Sequence, residues 1–335
     1  MKHFPAISNS ERNRVNRFEK HPKLTIVALG FLLAVIVVSL LEVSLRVFLG
    51  LGNPVLYQSS PLYGYRLQVT QLVHRGAGAE IRVNNLGLRA DRDWDADVNN
   101  KILFLGNSVT YGGSYISNQE LFSQLAVDGL GGFIAGNAGV NGWGIENIHA
   151  FVVDFGFQPA SIYVSVLQEM DFYRGLSRLA GKTLWTVKPR FALQELLYHF
   201  CSSRMENMYE GHDRFVTARE KEKTVDRAVM QLREIDDVLK SRGFVHLIYL
   251  STNRPQLLDG AGIDTLVERS LHKYGINVIF MKDRPEVTRL SRDEKAKLFY
   301  DWNHLSKEGH IIWANIFKSD LRKVLADRLS KRSPM

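Results

Sequence analysis

The 335-residue chain has one cysteine, Cys201, so no disulfide can form within it, and cysteine usage leaves the compartment open. His199 stands two residues away, but nothing around Cys201 resembles a strand-to-helix elbow, and the thiol reads as inert. Internal repeats and low-complexity tracts are absent, and with 45% hydrophobic and 23% charged residues the chain is neither fibrous nor disordered. Excess charge is missing from the body of the sequence. Residues 1–23 carry Lys2, Arg12, Arg14, Arg17, Lys20 and Lys23 against Glu11 and Glu19, a net +4. Residues 318–335 carry Lys318, Arg322, Lys323, Arg328, Lys331 and Arg332 against Asp320 and Asp327, again +4. These two ends account for the whole formal charge of +8, so no nucleic-acid partner is expected. The basic C-terminus reads as a solvated helix end, with attraction to anionic lipid as the alternative.

One long hydrophobic run is present. Leu24–Leu41 holds 18 residues without a charge, and apolar character resumes after Glu42 through Val43, Leu45, Val47, Phe48 and Leu49. A helix of roughly 20 apolar residues crosses a bilayer, whereas the apolar part of a cleavable signal spans about 7–15. The exit, EVSLRVFLGLG, lacks a small-x-small cleavage pattern, so an uncleaved signal-anchor over 24–49 is favoured over a removed signal or a buried core helix. Glu42 and Arg46 are spaced to pair at its exit. The basic tail of residues 1–23 places the N-terminus in the cytoplasm and the rest outside, in a bacterium on the periplasmic face of the inner membrane; a eukaryotic lumen is the alternative.

Residues 50–100 read as a hairpin-rich neck, with short alternating stretches broken by Gly, Asn and Pro. From 101 to 335 strands alternate with helices: KILFLG at 101–106, a helix over Leu121–Leu130, a strand within GGFIAGNAG, a helix over Ile145–Phe155, then strands at 161–167, 244–251 and 276–281. Val225, Val229, Leu232, Ile235 and Leu239 form one stripe of an amphipathic helix, and a last helix starting near Ser306 carries Trp313, Phe317, Leu321, Val324 and Leu325. This alternation predicts a parallel sheet covered on both faces, a three-layer α/β/α flavodoxin-like domain. Residues 172–218 form an insertion bearing Trp185, Phe191, Tyr198 and Phe200. Its position suggests a cover over the site, although aromatics at such spacing more often fill core.

Parallel sheets place ligands beyond the carboxyl ends of their strands, and the loop after KILFLG reads GNSVTYGG. Ser108 stands there at a strand-to-helix turn, where a helix cap is the bland alternative. A serine hydroxyl needs a base, and a base needs an orienting carboxylate. Asp301 and His304, three residues apart in DWNH, precede the final helix and fall at the same sheet edge. A metal site would require His310 to join them, and no metal or other cofactor is expected.

ILFLGNSVTYG, NAGVNGWG, SVLQEMDF and DWNHLSKEGH, in this order over roughly 101–325, resemble the sequence blocks of the SGNH or GDSL-like hydrolases. The resemblance implies a serine esterase or acyltransferase in which Ser108 is the nucleophile, Asp301 and His304 complete the triad, and the backbone N–H of Ser108 and Gly142 bind the oxyanion. It implies short acyl esters as substrates. The predicted location points to envelope carbohydrate and to polysaccharide machinery as a partner. Two departures stand out. Asn107 replaces the family's Asp, with little consequence expected, and Met170 occupies the position of an oxyanion-binding Asn. One such donor is worth about 2.7–4 kcal/mol, so Gln168 and Asn141 become candidate replacements, and a catalytically weak membrane-tethered binding or assembly component is an alternative function.

Overall fold

The computed structural model describes residues 21–180, 182–209, 217–260 and 262–332. Most of the basic N-terminal tail lies outside them. Helix α1, Pro22–Leu49, has Pro at its first turn, ends on Gly50 in the left-handed conformation, and keeps its apolar stretch exposed throughout. Among the described helices it alone is long and apolar enough to cross a membrane.

The 50–100 segment folds as two antiparallel hairpins. β1 (Tyr57–Ser60) pairs with β2 (Gly64–Leu67), and β3 (Gln71–His74) with β4 (Glu80–Val83). It is no free-standing stalk: Tyr65, Ile81, Val83 and Trp94 are buried in the same core as Leu103 and Leu105 of the central sheet. Arg89 ties the two together through a backbone bridge to Asn137.

The central sheet comprises β5 (Lys101–Gly106), β6 (Ile134–Gly139), β7 (Ile162–Gln168), β8 (Val245–Ser251) and β9 (Ile279–Phe280). All pairings are parallel, in the order β6-β5-β7-β8-β9. β5 and β7 are buried on both faces, which is why their sequences run apolar without alternation. Side chains of odd and even positions enter different layers. Ile102, Phe104, Ile162 and Val164 pack under α2 (Phe122–Val127) and the C-terminal helix α6 (Lys307–Arg332). Leu103, Leu105 and Tyr163 face α3 (Ile145–His149) and α5 (Ala218–Ser241), with α4 (Ala192–Tyr209) in the insertion between β7 and α5. The result is the expected three-layer α/β/α arrangement with a flavodoxin-like strand order.

Several elements differ from expectation in extent. The 276–281 segment pairs only at Ile279 and Phe280, as an edge strand with one neighbour. The helix expected over 145–155 changes at Ala150 to a π turn ending at Asp154. The α5 stripe from Val225 to Leu239 is buried as expected, and Thr217 with Glu220 closes its N-terminus as a capping box.

Candidate active site

β5 and β7 are adjacent although β6 intervenes in sequence, so the strand order reverses between them and a crevice opens at their carboxyl ends. Gly106 ends β5 where no side chain fits: a Cβ would lie 2.1 Å from Thr110 Oγ1 and 2.5 Å from the Val166 carbonyl oxygen. Asn107 follows as N-cap of a one-turn helix, Ser108–Tyr111, its Oδ1 accepting the Val109 N–H at 2.8 Å. This turn sets Ser108 at the crevice with its hydroxyl outward.

From the opposite end of the chain, the 300–305 loop brings a base to it. Ser108 Oγ and His304 Nε2 are 2.9 Å apart, and His304 Nδ1 is 2.7 Å from Asp301 Oδ2. A carboxylate only accepts, so Nδ1 carries the ring proton and Nε2 is free to accept from the serine hydroxyl. The other carboxylate oxygen accepts the backbone N–H of Asn303 and of His304, each at 2.7 Å. Partial burial pushes the Asp301 carboxyl up, but these bonds and the imidazole outweigh it and hold it below the usual range.

Behind the serine lies a buried polar network. Asn107 Nδ2 donates to Gln168 Oε1 at 3.0 Å and to both Asp171 oxygens at 2.8 and 3.0 Å. Gln168 Nε2 donates to Asn303 Oδ1 at 2.6 Å, so its buried amide joins the Ser108 loop to the His304 loop. Gln168, a candidate oxyanion donor, thus spends one N–H of its amide on Asn303. Asn107, expected to matter little, is the hub of this network. Asp171 is pushed up by burial, against the pull of Arg174, the Gln168 N–H and Asn107.

Gly142 adopts a left-handed φ of +77°, and an added Cβ would stand 3.0 Å from the Tyr65 hydroxyl and 3.2 Å from Lys182 Nζ. The backbone N–H groups of Ser108 and Gly142 donate to no acceptor among the described residues. Asn141 presents a buried Oδ1 with no hydrogen-bond partner, and its carbonyl accepts from Tyr65 Oη at 2.6 Å. Rotating that amide by half a turn presents Nδ2 in place of Oδ1. Met170 is partly exposed, with Arg174 Nη2 3.2 Å from its Sδ, while Arg174 Nη1 donates to the Trp143 carbonyl and to Asp171.

No family model matches the chain, and no curated protein does. Solved structures similar to it include a lipase/acylhydrolase from Enterococcus faecalis, 12% identical, which covers 67% of this chain and 95% of that one with a TM-score of 0.39. An acetylxylan esterase from Geobacillus stearothermophilus, solved as a catalytic mutant, is 17% identical over 66% of this chain and 93% of that one, with a TM-score of 0.36. A member of the lipolytic G-D-S-L family from Veillonella parvula is 12% identical over 64% and 94%, with a TM-score of 0.34.

His310 packs away from His304. Its Nδ1 accepts the Phe122 N–H at 3.2 Å, and burial, with Arg89 adding to it, pushes the ring down to about 3, so it is neutral. Among the described residues no group of three or more His, Cys, Asp or Glu is arranged to hold a metal ion. Arg89 was not singled out in the sequence. Its buried guanidinium donates to the carbonyls of Tyr111, Gly113 and Ile116 and to Asn118 Oδ1, clasping the loop that follows Ser108. Only an arginine in a hairpin segment signals it, and nothing local distinguishes Arg89 from Arg82. Phe191, Tyr198 and Phe200 of the insertion are exposed, which corrects the expectation that they fill core. The exposed aromatics nearest the triad are instead Tyr300 and Trp302, with Tyr300 stacked on Tyr115 at 4.0 Å.

Proposed function

We propose that the protein is a membrane-anchored serine esterase of the SGNH type that hydrolyses short acyl esters on carbohydrate. The observation that carries this reading is the continuous hydrogen-bond chain from Ser108 through His304 to Asp301 at the carboxyl edge of a parallel sheet. His304 Nε2 takes the hydroxyl proton as Ser108 Oγ attacks the ester carbonyl, and Asp301 holds the imidazolium that forms. The N–H groups of Ser108 and Gly142, with Asn141 as third donor, receive the oxyanion. His304 then gives its proton to the leaving alcohol, and water, activated by the same imidazole, releases the acid and frees Ser108. The exposed rings of Tyr300 and Trp302 beside Asp301 support a sugar as the alcohol part. Helix α1 supports anchoring, with the basic tail of residues 1–23 in the cytoplasm and the catalytic domain on the outer face of the inner membrane, beside envelope polysaccharide machinery.

A fluorophosphonate probe tests the mechanism on the full chain in detergent. Labelling of the wild type and not of Ser108→Ala, with turnover of acetylated sugars or aryl esters, is expected. Absence of labelling and of turnover rejects the esterase. It would favour the second reading, a tethered binding or assembly component, which Met170 at the family's Asn position supports. Trp302→Ala should raise KM for an acetylated oligosaccharide while leaving a small aryl ester unaffected.

A further inference from the structure

The first charge after the uncharged stretch of α1 is Glu42, whose side chain is 19% exposed and whose carboxylate is turned to the start of α4. Glu42 Oε1 accepts the Ala192 N–H at 2.8 Å and Oε2 the Leu193 N–H at 3.0 Å, so it caps α4 from another helix. Arg46 pairs with Glu42 at 2.7 Å and donates to the Arg190 carbonyl at 3.1 Å, holding the same junction. The 18 uncharged residues before Glu42 rise about 27 Å as a helix, close to the roughly 30 Å of a hydrocarbon core. Glu42 therefore marks the boundary of that core, and the start of α4 is fixed at the same depth.

The side chains of α4 sort accordingly. Ala192 and Glu195 are buried against the head, where Glu195 accepts from the Gly52 N–H and from Arg75. Leu193, Leu196, Leu197 and Phe200 recur at i, i+3, i+4 and i+7, the spacing of an apolar face made to be covered. Leu193 is half-buried, whereas Leu196 is 38% exposed, Leu197 54% and Phe200 65%. Phe191, just before the helix, is 60% exposed. The stripe starts where Glu42 and Arg46 of α1 hold the first turn of α4, and exposed Lys188 and Arg190 precede it, the basic and aromatic pairing suited to a headgroup layer.

We propose that Phe191 and the α4 stripe lie in the surface of the bilayer that α1 crosses, so that the head is seated on the membrane by a second, interfacial element. The proposal rests on the anchor reading of α1. Such faces sink about 5–10 Å into the headgroup and acyl boundary. The consequence is a fixed orientation, in which the head cannot swing freely about Gly50.

The sole cysteine supplies the test, since Cys201 is exposed at the edge of the stripe. The full chain, labelled there with an environment-sensitive fluorophore, is reconstituted into vesicles of phosphatidylethanolamine and phosphatidylglycerol. Emission should shift to the blue relative to detergent, and lipids spin-labelled near the headgroup end of the acyl chain should quench it more than aqueous iodide. Leu197→Asp with Phe200→Asp should abolish the lipid quenching while the chain stays resistant to alkaline extraction. Circular dichroism of that variant in detergent should match the wild type; a folded variant that keeps lipid quenching overturns the proposal. Equal iodide access in vesicles and detergent, with the chain still resistant to extraction, overturns it and leaves the anchor standing. Release by alkaline extraction removes both. Shielding that rises with the protein-to-lipid ratio assigns the stripe to a second copy and also overturns the proposal.

Discussion

Asn107 and Asp171 meet inside the protein with an amide nitrogen 2.8 Å and 3.0 Å from the two carboxylate oxygens, beside the serine that the reading makes the nucleophile. Asn107→Asp would set two buried carboxylates against each other, and an uncompensated buried charge costs about 3–5 kcal/mol. A large fall in urea midpoint and in turnover is expected, with recovery of most of both in the Asn107→Asp, Asp171→Asn pair. A tolerated single substitution would show that the network has no positioning role. Asn141→Ala tests the proposal that Asn141 is the third oxyanion donor. A fall in kcat of about 10²–10³ with KM little changed is expected, and an unchanged kcat assigns the orphaned Asn141 oxygen another role. Asp301 adds a pH signature. Its carboxyl sits below the ordinary value of 3.8, so its ionised form contributes stability above that value that is lost as pH falls through the folded pKa. The stability gap between wild type and Asp301→Asn should therefore be widest near neutral pH and close below 3.8. Denaturant midpoints across that range measure it, and a gap that widens with acid contradicts the assignment.

The β5–Ser108 turn is the element on which the site depends, and Gly106 is its constraint. Gly106→Ala places a methyl 2.5 Å from a backbone carbonyl that cannot rotate away, so overpacking of about 1–3 kcal/mol is expected, together with loss of turnover. Thr110→Ala in the same chain should restore little, because it removes only the Thr110 Oγ1 contact. Full rescue in thermal unfolding would locate the constraint in Thr110 instead. This turn was legible from sequence because its signals are local: an apolar run, a glycine and a serine at the start of a helix. The α5 stripe and the alternation of strands with helices along the chain were legible for the same reason, since period and punctuation sit within one window. Contacts between distant segments were not. Glu42 reads as an interfacial partner of Arg46 until α4 arrives 150 positions later to be capped by it. Arg89 clasps a loop up to 29 residues away, and nothing in its neighbours says so. The insertion was misread because apolar spacing reports a face to be covered and not what covers it.

On the scale of the whole molecule, the end of the candidate membrane helix and the loops around Ser108 share one wall. A cavity of about 100 Å³ runs from Pro54 and Val55, just past the end of α1, through Trp185 to Tyr111, Ser114 and Asn141 in the loops around the serine. Under the anchor reading this cavity lies between the bilayer end of α1 and the loops that flank Ser108, beside the site. The same geometry raises the question of the second nucleophile, because hydrolysis and acyl transfer share every step up to the acyl-serine. Transfer prevails only when an acceptor hydroxyl is bound and aligned, where positioning is worth an effective concentration of about 10⁵–10⁸ M. The His304 and Asp301 side chains are 29% and 38% exposed, which would leave an acyl group on Ser108 open to solvent. Hydrolysis is therefore the expected outcome. The full chain in vesicles, given an acetyl ester donor and envelope oligosaccharides both free and lipid-linked, should release mainly free acetate by mass spectrometry. Acetylated sugar as the main product with the lipid-linked acceptor, and not with the free one, would reassign the protein as an O-acyltransferase whose acceptor is aligned by the membrane.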